Sequence, residues 1–405
     1  MTPDERKQLF EKVDALVRRK FFDPKFNGRD WPALVQKHRD AILSASNDKI
    51  FEDEINRLLA ELGTSHTSFF HRNTPIPSRN SINATFKAWE TGEGIRWVFQ
   101  DVQPGGPADR AGVKPGDVLV RVNDREFRPP QKPEFRMGSL APLTLIHRNG
   151  VAKELKLELK TPKPKYSDCP YAEPKSVLAK QLESGIGYLK VSMFPGILGV
   201  DFAQDIDGAV TELRECTRMI IDLRGNPRGG IGALRLMSYL TPSRIPVGYI
   251  LTRERAERGY RREELTQLRA IPAQKWQLPF LAARFLGRDM SVAVITEGKG
   301  PQKFQNRIVI LVNEHTAGSG EMVAGFAREN KLAKIVGEKT AGRLLGGKGF
   351  KVGDGYMLML PVGAYLSWNG LRFEGNGVAP DVWVDWSPGD SDDQLKRAIE
   401  TVRGL

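Results

Sequence analysis

The sequence is poor in the residues that metal centres and disulfide frameworks require. Its 405 residues include only two cysteines, Cys169 and Cys216, and five histidines. Two cysteines allow one disulfide but no disulfide framework, and no group of Cys and His residues has the spacing of a structural zinc site. The sequence therefore excludes a disulfide-rich scaffold and predicts neither a metal ion nor another cofactor.

Long hydrophobic runs are also missing. No stretch approaches about 20 apolar residues, the length that crosses a bilayer, so the sequence predicts no membrane span. The first residues, MTPDERKQLFEKVDALVRRKF, are charged and amphipathic and lack the apolar region of a signal peptide. As written, the chain is expected in the cytoplasm, whereas a trimmed N-terminus would fit an exported or periplasmic protein.

The net charge of +12 does not come from a dense basic tract. A strongly basic protein can bind nucleic acid, yet here the lysines and arginines are scattered. The segment RERAERGYRREEL (residues 253–265) is mixed in sign and is expected to form a solvated helix or a loop. Charge is the only feature that favours a nucleic-acid-binding protein, and we expect no nucleic-acid partner.

Residues 1–75 are predicted to form a helical N-terminal domain, because apolar residues recur there at helical spacing. Three apolar stripes are present, made of Leu9, Phe10, Val13, Leu16 and Val17, of Trp31, Leu34, Val35 and Ile42, and of Ile55, Leu58, Leu59 and Leu62. Gly63 ends the third stripe, and Ser65-His66 follows directly. A proline-bearing linker over residues 73–81 separates this part from the next.

Residues 80–160 contain five strand-like runs and one distinctive string, PGGPADRAGVKPGD, at residues 104–117. The string is close to the P-G-S-P-A-x-x-A-G-[LI]-x-x-G-D signature of PDZ domains, with turns at Gly112 and Gly116. The resemblance implies a mainly-β PDZ domain, which binds a peptide as an added strand and captures its terminal carboxylate. That carboxylate loop would lie near residues 81–84.

Residues 176–405 follow a second linker (161–175) and alternate strands with helices, as expected of an α/β domain. Two late segments, GYMLMLPV and AYLSW, look like the strands of hairpins. Earlier in this part, the buried run Ile308–Val312 leads through a Thr-Ala-Gly-Ser-Gly turn into a helical pattern. Ser319 therefore stands where a strand gives way to a helix, beside backbone N–H groups that stabilise negative charge. The same serine is also consistent with an ordinary helix N-cap.

Four motifs follow one another in this order along the chain. They are D-L-R-G-N with a Gly229-Gly230 pair (222–230), T-A-G-S-G-E (316–321), G-E-K-T-A-G (337–342) and E-G-N-G-V-A-P-D (374–381). Together with the helical start and the PDZ domain, this order resembles the C-terminal processing, or tail-specific, serine peptidases. The resemblance covers nearly the whole chain and implies an α/β peptidase core of the ClpP/crotonase-like βαβ type.

The resemblance also implies which residues carry the reaction. Many family members use a Ser–Lys dyad, but the usual lysine position holds Arg343, which stays protonated and cannot be a base. The branch that resembles the tricorn core peptidase uses a serine, a histidine preceded by a serine, and a late glutamate. Here these are Ser319, His66 after Ser65, and Glu374.

The implied oxyanion hole consists of the N–H groups of Gly320 and Gly229. Each assignment also has an ordinary structural interpretation. His66 is also consistent with a helix-end residue, Glu374 with an exposed turn carboxylate, and the glycine pair with a plain loop.

The sequence thus predicts a serine endopeptidase that hydrolyses unfolded polypeptides or peptides, recognising free C-termini, through an acyl-enzyme. One alternative is a Ser–Lys peptidase that pairs Ser319 with Lys348. Another is a peptide-binding relative without catalysis, because in many family members the nucleophile stands three residues before the motif glutamate, where this chain has Gly318. The sequence makes no prediction about oligomeric state.

Overall fold

The computed structural model describes residues 1–74, 81–135, 138–147, 150–159, 173–183, 185–196, 199–272, 274–283, 289–389 and 391–405. Most of the two predicted linkers, and with them Cys169, lie outside these described residues. Cys216 is described and is a buried free thiol.

The helices confirm the helical pattern of the first 60 residues. The described α-helices are α1 Pro3–Lys20, α2 Trp31–Leu43, α3 Asp48–Ala60, α4 Pro107–Arg110, α5 Val200–Glu212, α6 Ala233–Tyr239, α7 Arg253–Arg258, α8 Leu278–Ala283, α9 Ser319–Glu329 and α10 Asp393–Arg403. Short 3-10 helices are Phe26–Gly28, Arg262–Glu264 and Lys275–Gln277. Helices α1, α2 and α3 are preceded by the N-cap residues Thr2, Asp30 and Asn47. Each N-cap side chain accepts a hydrogen bond from a backbone N–H of the first turn.

The strands of the described residues form three six-stranded sheets. The described strands are β1 Ser68–His71, β2 Ala84–Thr91, β3 Gly94–Val102, β4 Val118–Val122, β5 Arg125–Glu126, β6 Leu140–Ile146, β7 Ala152–Glu158, β8 Val177–Glu183, β9 Ile186–Val191, β10 Arg218–Asp222, β11 Pro246–Thr252, β12 Thr266–Leu268, β13 Val292–Ile295, β14 Ile308–Val312, β15 Lys334–Gly337, β16 Leu345–Gly353, β17 Tyr356–Ser367 and β18 Val382–Trp383.

One sheet has the order β18-β15-β14-β10-β9-β8 and is parallel except for the β8–β9 pair. Every residue of β14 is buried, as expected for a strand covered on both faces. Parallel strands end at the same edge of a sheet. The loops that follow β10 and β14 therefore meet there, and they carry the Gly229-Gly230 pair and Ser319.

The predicted PDZ domain is an antiparallel sheet of order β2-β3-β4-β6-β7, with β5 paired to β4. Helix α4 lies within the PGGPADRAGVKPGD string, between β3 and β4. On β2, Lys87 forms ion pairs with Glu338 at 2.5 Å and with Glu314 at 3.3 Å. Glu338 and Glu314 closely follow β15 and β14, so these ion pairs link β2 to the end of the parallel sheet.

The third sheet has the order β1-β17-β11-β13-β12, with β16 paired to β17. Helices α1, α2 and α3 share one hydrophobic core with its strands β16 and β17. Phe10 and Phe51 of the helices lie in the same buried cluster as Val352 and Leu358 of the strands. The first helices are thus stabilised by strands that lie more than 300 positions after Phe10 and Phe51.

The two late segments, GYMLMLPV and AYLSW, lie in a hairpin as expected, but they form one strand and not two. The strand β17 spans both segments and pairs antiparallel with β16 from Tyr356 to Ala364. Gly363 separates the two segments in the sequence. A Cβ added to it would lie 3.2 Å from Ile250 Cγ2 of β11, so this glycine admits a neighbouring strand rather than making a turn.

The described contacts divide the chain into two units. The first unit comprises Met1–Thr74, Arg244–Thr296 and Gly342–Gly377, and the second comprises Pro75–Ser243, Glu297–Ala341 and Val378–Leu405. The sequence-based division at 1–75, 80–160 and 176–405 stays a prediction. Within the described residues, no helix is long and apolar enough to cross a bilayer.

Candidate active site

In the second unit, Ser319 is the first residue of α9 and is buried. The preceding Gly318 has φ +58°, a left-handed backbone conformation that favours glycine. The Ser319 hydroxyl donates a hydrogen bond to the carbonyl oxygen of Gly230 at 2.9 Å. Ser319 is therefore held against the Gly229-Gly230 turn and does not act as the N-cap of its own helix.

Two further hydrogen bonds join the loop after β10 to the turn after β14. Thr316 Oγ1 donates to the carbonyl oxygen of Leu223 at 2.9 Å. The backbone N–H of Ala317 donates to the carbonyl oxygen of Asn226 at 2.8 Å. Because both loops are held at several points, the position of Ser319 relative to the glycine turn is well determined.

The two predicted oxyanion donors, Gly229 and Gly320, stand where the packing has no room for a side chain. A Cβ on Gly229 would overlap the side chain of Phe194. A Cβ on Gly320 would lie 2.9 Å from Thr316 Cγ2, closer than such atoms approach. Both positions therefore require glycine for steric reasons.

The N–H groups of these glycines differ in their hydrogen bonds. The Gly320 N–H donates to the Ala317 carbonyl at 3.1 Å, as part of a tight turn. Next to Gly229, the Arg228 carbonyl accepts from the Phe194 N–H and the Gly230 N–H donates to the Phe194 carbonyl. Neither of these two hydrogen bonds uses the Gly229 N–H.

In the first unit, Ser65, His66 and Glu374 form a continuous hydrogen-bonded chain. Ser65 Oγ lies 2.7 Å from His66 Nδ1 and 3.0 Å from Glu374 Oε2. The Glu374 carboxylate also accepts the backbone N–H groups of Ser65 at 2.6 Å and of Leu344 at 2.9 Å. Glu374 is buried, so it is not the exposed turn carboxylate that the sequence also allowed.

This chain determines which ring nitrogen of His66 carries a proton. A carboxylate only accepts hydrogen bonds, so the Ser65 hydroxyl uses its one hydrogen to donate a hydrogen bond to Glu374. Ser65 Oγ must then accept the Nδ1–H of His66. The imidazole is therefore the Nδ1–H tautomer, in which the lone pair lies on Nε2.

The backbone around His66 is shaped for this orientation. His66 has φ +61°, an uncommon conformation for a residue with a side chain. A Cβ added to Gly347 of β16 would lie 2.9 Å from His66 Cδ2. The exposed imidazole thus packs against Gly347 of β16, and the missing side chain of this glycine leaves space for the ring.

Lys348 and Arg343, the residues relevant to a Ser–Lys mechanism, are both exposed. Lys348 lies on β16, and its ammonium group stands 5.7 Å from the centre of the Phe350 ring. A lysine that serves as a base normally lies in an apolar pocket, whereas Lys348 is exposed.

The motif residues Glu321 and Thr340 had no predicted role. Both are buried, and their hydrogen bonds hold the turn that precedes Ser319. Glu321 Oε2 accepts the N–H of Gly318 at 3.2 Å, and Oε1 accepts the hydroxyl of Thr340 at 2.6 Å. Thr340 Oγ1 in turn accepts the N–H of Val378 at 2.7 Å. Their presence in the motifs was the only sequence signal for this network.

The D-L-R motif contains a buried charge cluster at the end of β10. Asp222 lies 2.8 Å from the guanidinium of Arg224 and 3.2 Å from Lys190 Nζ, and it accepts the Tyr188 hydroxyl at 2.7 Å. Burial favours the neutral acid, but the charges of Arg224 and Lys190 outweigh it and hold the pKa of Asp222 well below its ordinary value. Among the described residues, no group of three or more His, Cys, Asp or Glu side chains is arranged to hold a metal ion.

Profiles of known families match three parts of the chain. The profile of peptidase family S41 matches residues 185–384, that of the PDZ domain residues 98–133, and that of the tricorn protease C1 domain residues 2–60. The first match includes Ser319, Gly229, Gly320 and Glu374. The helical first part, the PDZ domain and the α/β core thus each match a profile.

Two relatives show similarity over nearly the whole chain. A putative tricorn protease homolog of Streptomyces coelicolor is 24% identical over 433 residues, which cover 98% of this chain and 32% of that protein. Carboxyl-terminal-processing peptidase 3, chloroplastic, of Arabidopsis thaliana is 26% identical over 391 residues, which cover 91% of this chain and 67% of that protein. The chain therefore spans about a third of the first relative and two thirds of the second.

Among solved structures, the photosystem II D1 C-terminal processing protease has a similar fold. Its TM-score is 0.57 at 20% sequence identity, and the alignment covers 99% of this chain and 97% of that protein. The described elements therefore belong to one known architecture of mixed α/β sheets with an inserted PDZ domain.

Proposed function

Because the profile of peptidase family S41 matches residues 185–384, we propose that this chain is a serine endopeptidase with Ser319 as nucleophile and His66 as general base. Ser65 and Glu374 complete a relay of four residues. The observation that carries the proposal is the hydrogen-bonded chain from His66 Nδ1 through Ser65 Oγ to Glu374. We also propose that the core is of the ClpP/crotonase-like βαβ type.

The proposed reaction has two halves. Ser319 Oγ attacks the carbonyl carbon of the scissile peptide bond while His66 Nε2 takes its proton. The tetrahedral intermediate then expels the amine, which receives that proton from His66, and an acyl-enzyme remains. Water deprotonated by His66 attacks the acyl-enzyme, releases the carboxylic acid and restores Ser319.

Negative charge on the carbonyl oxygen is proposed to be stabilised by the N–H groups of Gly229 and Gly320. The neighbouring hydrogen bonds leave the Gly229 N–H uninvolved, which supports its role. The Gly320 N–H would be shared between the oxyanion and the Ala317 carbonyl. In the resting state the Ser319 hydroxyl donates to Gly230, and it exchanges that acceptor for His66 when the reaction begins.

The proposed substrates are unfolded polypeptides or short peptides that end in a free carboxylate. Strand β2 is the terminal strand of the PDZ sheet, and an edge strand can accept a peptide as an additional strand. The names of relatives such as carboxyl-terminal-processing peptidase 3 of Arabidopsis thaliana are consistent with a substrate of this kind.

Labelling with a fluorophosphonate tests the nucleophile. The probe reacts with an activated serine, so we expect the wild-type chain to be labelled and Ser319→Ala to remain unlabelled. Ser46→Ala, at an exposed serine outside the proposed relay, is the matched control and should label like the wild type. Label on Ser319→Ala would assign the nucleophile elsewhere, and an unlabelled wild type would support the binding protein without catalysis.

The base is tested by comparing His66→Ala with Lys348→Ala. Loss of a general base costs about 10²–10⁴-fold in rate, so we expect this loss in kcat of peptide hydrolysis for His66→Ala. Lys348→Ala should hydrolyse the peptide at the wild-type rate. The reverse pattern would replace the histidine relay by a Ser–Lys dyad.

A further inference from the structure

Asn313, the residue directly after β14, is completely buried and touches both loops of the candidate site. Its side-chain oxygen Oδ1 accepts the backbone N–H of Gly225 at 3.0 Å and that of His315 at 3.1 Å. Gly225 lies on the loop that leads to the Gly229-Gly230 turn, and His315 lies on the turn that leads to Ser319. One carbonyl oxygen thus holds the starts of both loops.

The other end of the same amide faces the PDZ domain. Asn313 Nδ2 lies 3.0 Å from both oxygens of Asp101, at the end of β3. Asp101 is itself held by Thr85 of β2, whose hydroxyl donates to Asp101 Oδ2 at 2.5 Å. The Asp101 backbone N–H returns a hydrogen bond to Thr85 Oγ1 at 3.1 Å.

Glycine at position 225 is required by this contact. Gly225 has φ +69°, and a Cβ there would lie 2.7 Å from Asp101 Cβ and would overlap the amide of Gln103. Gln103 Nε2 donates to the Arg224 carbonyl at 3.2 Å. The end of β3 therefore lies directly against the backbone of the D-L-R-G-N loop.

An asparagine amide can rotate by half a turn, which exchanges its oxygen and nitrogen at little steric cost. In the rotated state Asn313 would present NH₂ to two backbone N–H donors, and both hydrogen bonds would be lost. A carboxylate accepts hydrogen bonds only, so Asp101 admits the nitrogen of Asn313 and rejects the oxygen. Asp101 thereby selects the rotamer that holds the two loops.

We propose that Asn313 is a positioning residue for catalysis and that Asp101 of the PDZ domain fixes its orientation. Asn313 touches neither substrate nor reacting atoms; it acts by keeping the Gly229 turn and Ser319 in their relative places. The inference rests on the proposed function, because it assumes that these two loops carry the oxyanion donor and the nucleophile.

Two single substitutions test the orientation. Asn313→Asp places a carboxylate against that of Asp101, and Asp101→Asn removes the strict acceptor. Each disturbs hydrogen bonds to buried groups, so we expect the rate of fluorophosphonate labelling, and kcat of peptide hydrolysis, to fall about tenfold or more. KM should change less than about twofold, a split that general loosening of the fold would not produce.

The reciprocal exchange, Asp101→Asn combined with Asn313→Asp, is the decisive variant. The amide introduced at position 101 donates to the carboxylate introduced at position 313, whose other oxygen still accepts the N–H groups of Gly225 and His315. We expect the labelling rate to return to within about threefold of the wild type. Asn330→Asp, at the exposed end of α9, is the matched control and should label normally.

The outcomes separate this inference from the proposed function. A labelled wild type with unaffected single variants, or a folded exchange variant as slow as the singles, overturns the positioning role alone. A wild type that neither labels nor hydrolyses peptides overturns the proposed function, and the positioning role falls with it. If a single variant fails to fold, the exchange variant is expected to fold and carries the test by its labelling rate.

Discussion

At the scale of single residues, the candidate site depends on glycines that leave space for other side chains. Gly347 is the clearest case, because the imidazole of His66 occupies the volume that its Cβ would fill. The neighbouring Gly346 differs, since an added Cβ would meet nothing closer than the Gly363 carbonyl at 3.5 Å. The two adjacent glycines of β16 thus provide a test and its control.

Gly347→Ala should displace the imidazole with little effect on the rest of the fold. A shift of about 1 Å in a catalytic group can cost about 10²-fold in rate, so we expect kcat/KM for peptide hydrolysis to fall about 10- to 100-fold. The free energy of unfolding should change by less than about 1 kcal/mol. Kinetics and thermal unfolding of the same preparation measure both quantities.

Gly346→Ala is the matched control and should retain wild-type kcat/KM. Equal losses in both variants would show that β16 tolerates no methyl group at all, and the specific contact with His66 would then not explain the effect.

Glu374→Gln tests the tautomer argument at the same scale. The amide can donate to Ser65 Oγ, after which the Ser65 proton points at His66 Nδ1 and the imidazole carries its proton on the wrong nitrogen. Equivalent amide substitutions in catalytic triads cost about 10⁴-fold in kcat, and we expect a loss of about 10²–10⁴-fold. Glu400→Gln, on the exposed face of α10, is the control, and a fully active Glu374→Gln would contradict the relay.

At the scale of elements, the ends of β10 and β14 carry most of the buried polar groups of the site. Their order along the parallel sheet follows from the alternation of strands and helices, which the sequence indicated correctly. The buried run of β14 and the turn before Ser319 were equally readable, because apolar runs and glycines leave strong local signals. The element that carries the proposed nucleophile was therefore predictable.

Contacts between elements that are distant along the chain could not be predicted from local sequence signals. Asn313 is one polar residue at a strand end, and nothing local indicates that Asp101, 212 positions earlier, selects its rotamer. Nothing local showed that the segments on either side of Gly363 form one strand, because glycine occurs both in strands and in turns. The motifs linked Ser65, His66 and Glu374 only because their order resembled a known family.

Asp222 makes a pH-dependent contribution to stability at the end of β10. Its folded pKa is lowered, so its contribution is present above its ordinary value of 3.8 and is lost as the pH falls towards the folded value. Removing one partner of a buried ion pair costs about 3–5 kcal/mol. At neutral pH, Asp222→Asn should therefore lower the free energy of unfolding by about 3–5 kcal/mol. Below about pH 4, the difference in free energy of unfolding between this variant and the wild type should become smaller.

Urea unfolding at several pH values measures this difference. Asp124→Asn, in an exposed turn with φ +61°, is the control, because asparagine suits that conformation and should change stability by less than about 0.5 kcal/mol. A difference between Asp222→Asn and the wild type that stays constant down to about pH 2 would contradict the lowered pKa.

At the scale of the whole molecule, the first unit is assembled from three separate parts of the chain. Phe51 of α3 contacts the ring of Tyr356 of β17 edge-on, at 6.4 Å between centres, and Phe69 of β1 stacks on the same ring at 4.7 Å. All three side chains are buried. The helical beginning and the late strands therefore share their stabilisation.

Phe51→Ala should weaken strands that lie about 300 residues further along the chain. A Phe→Ala change in a core costs about 3–5 kcal/mol, and we expect faster amide hydrogen exchange in β16 and β17 as well as in α3. Phe280→Ala, on the exposed side of α8, should cost less than about 0.5 kcal/mol. If amide hydrogen exchange became faster in α3 alone, the stability of β16 and β17 would not depend on the helices.

The separation of Ser65 from Glu374 by 309 positions has a consequence for biosynthesis. His66 and Ser319 both precede Glu374 along the chain, so a ribosome makes the base and the nucleophile before the carboxylate that orients the base. On the proposed mechanism, a growing polypeptide that ends before Glu374 lacks this anchor and should be a poor catalyst.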